Sequence, residues 1–318
     1  MNSSVVLAVV LGLALIGAVA VLVRTELRSK SAPPAARPTG TTGREALDTV
    51  DLALRRLAAE CLRIGRDLPD VYAVVHAGER LRLRLAGVDR SAPTPWEADE
   101  SGEEWTAEVA RLGGASADAA APAQPYPLAV TIGLDQGERV LVDLSRASAA
   151  IAVTGGRDGV DQLVRALITE LVTGPVGRRA EVTLVGSAAR AEMTVGLGLM
   201  SARLHTVATL EEALIDGAME AWRGATGSAP ASQATQVFRM IEGGGPVGLQ
   251  GRTPRLFVLD AAQFPEEEPA MAGLHAADAV VVLGDAPGFG WRFTVGADGS
   301  LDTGALGLRV DTHAGRMS

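Results

Sequence analysis

The stretch of this chain whose residue types and spacing promise chemistry is Ile151-Ala152-Val153-Thr154-Gly155-Gly156-Arg157-Asp158-Gly159-Val160-Asp161-Gln162. An apolar strand, a glycine-rich turn and a helix N-terminus, in that order, aim backbone N–H groups at one point, which is how proteins hold phosphate. Far downstream, Leu256-Phe257-Val258-Leu259 is a second apolar run, and it ends on Asp260. A carboxylate at the C-terminal end of a buried strand is well placed to order magnesium, although a strand-end turn residue or helix cap would read the same. The candidate residues are Gly155, Gly156, Arg157, Gly159, Asp161, Gln162 and Asp260, which either form a purely structural turn with no cofactor or contact a nucleotide such as ATP with magnesium. No residue qualifies as catalytic.

Other chemistries find less support. The only lysine is Lys30, so Schiff-base chemistry, lysine bases and a phosphate-binding lysine are all missing from the remainder of the chain. His76, His205, His275 and His313 are dispersed, without the spacing of a zinc site, and the single cysteine, Cys61, excludes an internal disulfide framework. No Gly-x-Ser-x-Gly elbow occurs. Glu266-Glu267-Glu268, set between Pro265 and Pro269, reads as a solvated helix start or as a dock for a basic partner. The formal net charge is −9, and the arginines are too scattered for a stripe, so no nucleic-acid partner is expected.

The elements that must position these residues can be read from periodicity. At 47% hydrophobic and 21% charged, 318 residues can bury a real core, and with 3% aromatics that core must rest on Ala, Val and Leu. Residues 149–318 alternate strands and helices: strands over 151–154, 181–185, 255–259 and 280–283, with helices over 160–172 and 210–222. Such alternation predicts a mainly parallel sheet with helices on both faces. Residues 44–148 read differently. A capping box at Thr42-Gly43-Arg44-Glu45 opens a helix in which Leu47, Val50, Leu54, Leu57, Cys61 and Ile64 recur at spacings of three and four. That stripe either packs on the following domain or pairs with a second copy in a short coiled coil, a homodimer through those six residues. Two hairpins follow, over 71–76 with 81–85 and over 128–132 with 139–144, predicting a small β-rich subdomain into which Trp96 and Trp105 pin their segment.

The N-terminal residues place the whole. Val5–Val23 carries no charge, and about 19 residues of helix span roughly 28 Å, close to a bilayer's hydrocarbon thickness. Met1–Ser4 lacks the positive charge of a signal peptide, although Ala18-Val19-Ala20 resembles a cleavage box. Arg24, Arg28, Lys30, Arg37 and Arg44 follow the span, so residues 1–4 are expected outside and the bulk of the chain in the cytoplasm, joined by a basic, Pro/Gly-rich linker over 24–43.

The strand, the turn around Gly155, the helix with Arg165-Ala166-Leu167 and the strand ending at Asp260 resemble the RecA-like ATPase domain of the FtsK/SpoIIIE translocase family, over residues 125–310. The phrases Asp70-Val71-Tyr72-Ala73-Val74 and Pro125-Tyr126-Pro127-Leu128 look like the central region of actinobacterial membrane proteins that also carry LysM or transcriptional-activator domains, neither of which is visible here. The first resemblance implies a P-loop, Gly-x-x-Gly-x-Gly-Lys-Ser/Thr, and a Walker B acid. Aligned on Gly155, the lysine position holds Asp161, the hydroxyl position Gln162, and Asp260-Ala261 stands at Walker B. An aspartate beside a triphosphate repels where lysine would attract, and the lost hydroxyl removes a magnesium ligand. The expectation is a single-pass membrane scaffold with a catalytically degenerate ATPase-like domain. The alternative is a divergent NTPase or translocase subunit that binds nucleotide with a partner's help.

Overall fold

The computed structural model describes residues 43–112, 125–147, 150–197, 201–215, 253–285 and 288–312. The expected tail, membrane span and linker of residues 1–43 lie outside these, apart from Gly43, as does the expected helix 210–222 beyond residue 215. Among the described residues, no helix is long and apolar enough to cross a membrane.

The described residues belong to one compact unit, and their strands form one sheet of fourteen. Helix α1, Arg44–Arg63, leads into strands β1 (Val71–Ala77), β2 (Arg80–Leu85), β3 (Glu97–Ala98), β4 (Glu104–Glu108), β5 (Ala129–Asp135) and β6 (Glu138–Asp143). Strand β7 (Ile151–Gly155) then feeds helix α2 (Arg157–Thr173), followed by β8 (Glu181–Val185), β9 (Leu204–Val207), β10 (Arg255–Asp260) and β11 (Ala279–Leu283). Strands β12 (Trp291–Val295), β13 (Ser300–Asp302) and β14 (Arg309–Asp311) close the chain. The spatial order is β3-β4-β2-β1-β6-β5-β14-β13-β12-β7-β11-β10-β8-β9.

The parallel part is β12-β7-β11-β10-β8-β9, as strand–helix alternation predicts. The sheet as a whole is not mainly parallel: eight of its thirteen strand pairings are antiparallel. The reason is connection length. β1–β2 and β5–β6 are joined by two-residue turns, which permit only antiparallel pairing. The tail β12–β13–β14 folds back and meets β5 at Asp311 opposite Leu134, fusing the two halves into one sheet. The change of rhythm near residue 148 is thus a change of strand direction within a single sheet.

Period-two alternation splits the core between the faces. Leu256 and Val258 of β10 and Val281 of β11 turn toward α2, which covers them with Val160, Leu163, Val164, Leu167, Ile168 and Leu171. Phe257, Leu259, Val280 and Val282 point the other way, onto Leu210, Ala213 and Phe264. In the antiparallel half, Val71, Val74, Leu81, Leu83 and Leu141 face α1. There Leu47, Val50, Leu54, Leu57 and Cys61 are all buried, with Trp96 and Trp105 beside them. The stripe read as a possible homodimer seam is therefore filled by the chain's own sheet, and a second copy could reach it only by uncovering this core. Ile64 departs from the stripe: it lies just past the last helical turn and is 46% exposed. The helix starts where expected, but its N-cap is Gly43, at φ 96°, with no side-chain cap.

Candidate functional site

The glycine-rich turn is shorter than a phosphate cradle. β7 ends on Gly155, Gly156 alone links it to α2, and Arg157 is already helical. Gly159, Asp161 and Gln162 consequently sit on the first two turns of the helix rather than in a loop. The glycines have local explanations. Gly155 adopts φ +134°, and a Cβ there would stand 2.4 Å from the carbonyl oxygen of Val295 on the neighbouring strand β12. Gly159 faces the Val295 side chain, with Cγ1 3.0 Å from a hypothetical Cβ. Close strand and helix packing against Val295 thus requires both residues. Gly156 has φ −65° and open space around it.

The structure does bring Asp161 and Asp260 together, around a residue that sequence reasoning missed. Arg190 donates from Nη2 to Asp161 Oδ1, and its Nη1 lies 3.7 Å from Asp260 Oδ2. The three side chains retain 17%, 22% and 30% exposure for Arg190, Asp161 and Asp260, so the cluster is largely shielded from water. Arg190 Nε is buried and makes no hydrogen bond. Arg157 is 77% exposed and reaches Asp161 at 3.9 Å across one helical turn, adding a weaker second cation. Gln162 points away from the cluster and lines a separate cavity beside the start of α1.

The loops that carry this cluster brace one another. Arg190 follows β8 through a turn at Gly186, whose φ of +53° suits glycine. Ser187 N donates to Gln263 Oε1 at 3.2 Å, while Gln263 Nε2 donates to Ala208 O at 3.2 Å and to Glu267 Oε1 at 3.0 Å. Gln263 lies three residues past Asp260, so the turn bearing the arginine and the turn bearing the carboxylate are tied directly. Asp260 Oδ1 also accepts from Ala262 N at 3.2 Å. Glu267, read from the sequence as part of a solvated acidic run, is buried instead: its Oε2 accepts from Leu210 N at 2.9 Å and caps the helix that begins there. Burial of a charge is tolerable when several donors hold it.

All of this lies at the C-terminal ends of parallel strands, where α/β sheets place ligands. Two features bear on a nucleotide with magnesium. Arg190, which cannot lose its proton, sets one positive charge against the two carboxylates, and exposed Arg157 adds a second beside Asp161, so a divalent cation there would meet fixed cations as well as anions. A one-residue turn offers few inward N–H groups for a triphosphate. A cavity of about 930 Å³ lies elsewhere, lined by Tyr72, Arg146, Leu274, His275, Trp291 and Leu306 among others. A second, of about 440 Å³, lies between α1 and α2. Neither is lined by Gly155, Arg157, Asp161, Arg190 or Asp260. Among the described residues, no three His, Cys, Asp or Glu side chains converge as a metal site would require.

No family model matches the chain, and no curated protein does. Solved structures similar to it include the monomer form of the pCW3 conjugation coupling protein TcpA with ATPγS, at 10% identity and TM-score 0.37, covering 82% of this chain and 94% of that one. The cytoplasmic domain of EssC is similar at 16% identity and TM-score 0.35, over 52% of this chain and 36% of that one. The cytoplasmic domain of the Thermomonospora curvata type VII secretion ATPase EccC follows at 12% identity and TM-score 0.29, over 54% of this chain and 19% of that one. Scores this low carry no weight for the site, whose reading rests on its own residues.

Proposed function

We propose that this chain is a membrane-anchored interaction protein whose α/β core keeps the frame of an FtsK/SpoIIIE-like ATPase and has exchanged its chemistry for an internal ion pair. One observation carries the reading: Arg190 sits between Asp161 and Asp260 at the strand ends where a nucleotide and its metal would otherwise be held. With lysine absent beyond Lys30 and aspartate at the lysine position, this core lacks the phosphate-neutralising lysine of a P-loop. The protein then acts by what its surface binds. The apolar run Val5–Val23, followed by its basic flank, supports anchoring with the bulk of the chain in the cytoplasm.

The test is a thermal-shift titration of the full chain in nanodiscs with ATP and magnesium. A bound ligand at about 100 times its dissociation constant stabilises by about 2.7 kcal/mol, enough to see. The expected result is no shift and no turnover above background. Turnover that Asp260→Ala abolishes would overturn the reading in favour of an NTPase. Protease accessibility of the C-terminus in sealed vesicles tests the orientation, and cross-linking in native membranes identifies the partner.

A further inference from the structure

Large aliphatic side chains exposed by more than a third of their surface are few among the described residues: Leu62, Ile64, Leu68, Val88, Val195 and Ile215. Four of the six come from two short segments, and the fold holds those segments at one corner. Leu68 stands three residues before β1 and Val88 three residues after β2, and Val71 pairs with Leu85, so both lie at the same end of that hairpin. Ala86 N donates to Asp70 O at 2.8 Å, closing that end. Arg66 then clamps the segments together, donating to Ser91 O and to Asp89 Oδ2, with its guanidinium 5.0 Å from the Trp105 ring centroid. Leu62 and Ile64 enter the corner from the end of α1. With exposures of 68%, 46%, 41% and 65%, Leu62, Ile64, Leu68 and Val88 are the exposed large aliphatic side chains of this half among the described residues.

We propose that this corner is a lipid-contacting surface, whose four aliphatic side chains enter the boundary between headgroups and acyl chains of the membrane that holds the N-terminal anchor. The inference rests on the anchored reading above. Two facts select lipid as the occupant. Twenty residues, 24–43, separate the apolar run from α1, a contour of at most roughly 66 Å, against roughly 30 Å for the twenty-residue helix α1. The corner at the far end of that helix can therefore lie on the bilayer. Charge at the corner nearly balances: Arg63 Nε donates to Glu60 Oε2 at 2.8 Å, Arg66 is bonded to Asp89, Asp70 pairs with Arg146, and the exposed Asp67 and Arg90 are of opposite sign. Apolar tips on nearly neutral ground suit partition into the interface, and they give the surface little to recognise in a strongly charged partner.

The test uses the full chain reconstituted in phosphatidylcholine vesicles containing brominated phospholipid. Cys61 is buried, so Leu68→Cys and Val88→Cys can be labelled singly with an environment-sensitive fluorophore, with Val195→Cys as the exposed control. The expected result is at least about twofold quenching at positions 68 and 88 and none at 195, persisting in high salt because insertion is apolar. Adding Leu62→Asp and Ile64→Asp to the Leu68→Cys chain should reduce its quenching to the control level while thermal unfolding stays unchanged. Chain retained on vesicles with positions 68 and 88 as unquenched as 195 would overturn the contact and leave the anchor standing. Chain not retained at all would overturn both. Energy transfer between labelled copies in place of lipid quenching would assign the corner to a second copy, and equally overturn the proposal.

Discussion

Replacing Arg190 with alanine is the perturbation that bears most directly on the degenerate-site reading. At an effective dielectric constant of about 20, the 3.7 Å contact with Asp260 corresponds to a gross attraction of about 4 kcal/mol. Desolvation offsets much of this, because all three side chains have given up most of their water. Exposed pairs contribute less than about 1 kcal/mol, and breaking a fully buried one costs about 3–5 kcal/mol. This cluster, with exposures of 17–30%, falls between those limits, so Arg190→Ala should cost about 2 kcal/mol. The variant leaves Asp161 and Asp260 with only exposed Arg157, 3.9 Å from Asp161, as a counter-charge, and adding Asp161→Asn or Asp260→Asn should recover about 1 kcal/mol. Equilibrium urea unfolding of the full chain in mild detergent, followed by the fluorescence of buried Trp96 and Trp105, measures each corner of the cycle. A loss below about 0.5 kcal/mol with no recovery in the double variants would refute the claim that the arginine holds the two carboxylates.

Four further outcomes follow from the packing. Gly155→Ala should destabilise by about 3 kcal/mol, since it combines a positive φ with a clash against the Val295 carbonyl, whereas Gly156→Ala should be nearly neutral; comparing their urea midpoints checks this. Leu57→Ala, at a fully buried α1 position, should cost about 2–5 kcal/mol, visible as a lowered melting temperature. The Cys61 thiol is pushed above its ordinary range by burial, so it should resist a thiol reagent in the native chain and react at once in denaturant. Burial, helped by nearby Arg139, holds the His76 imidazole below its usual range. Its folded pKa lies under its unfolded one, so the unfolded chain binds the extra proton and stability is lost as pH falls through about 6.5. Glu170 and Asp143, raised by burial, act in the opposite sense. Melting curves from about pH 7.5 to about 5.5 should therefore show a larger drop for wild type than for His76→Gln, in which the two carboxyl contributions are unchanged.

Elements whose local pattern agreed with their environment were legible without coordinates. The 3–4 spacing from Leu47 to Cys61 fixes a buried helix face because helical period alone decides which side chains share a side. The alternation of Leu81, Leu83 and Leu85 with arginines does the same for β2, and the all-apolar runs of β7, β10 and β11 announce strands covered on both faces. The strands β3, β4, β9 and β12–β14 lacked such a signal. They are two to five residues long, and their polar positions, as in Trp291-Arg292-Phe293-Thr294-Val295, acquire order only by pairing with strands already in place. The site divides in the same way. Strand, turn and helix were visible at Gly155, but whether the glycines served phosphate or packing depended on Val295, about 140 residues away and adjacent only through the β7–β12 pairing. Arg190 lay in an unremarkable Ser-Ala-Ala-Arg segment, and the meeting of its guanidinium with Asp161 and Asp260 is a consequence of strand order. Sequence determined the two long helices and strands β1, β2, β5–β8, β10 and β11, because those follow from short-range periodicity. Tertiary structure alone decided what Asp161 and Asp260 face, since charges distant along the chain become partners only when strands β7, β8 and β10 carry their C-terminal ends to the same edge of the sheet.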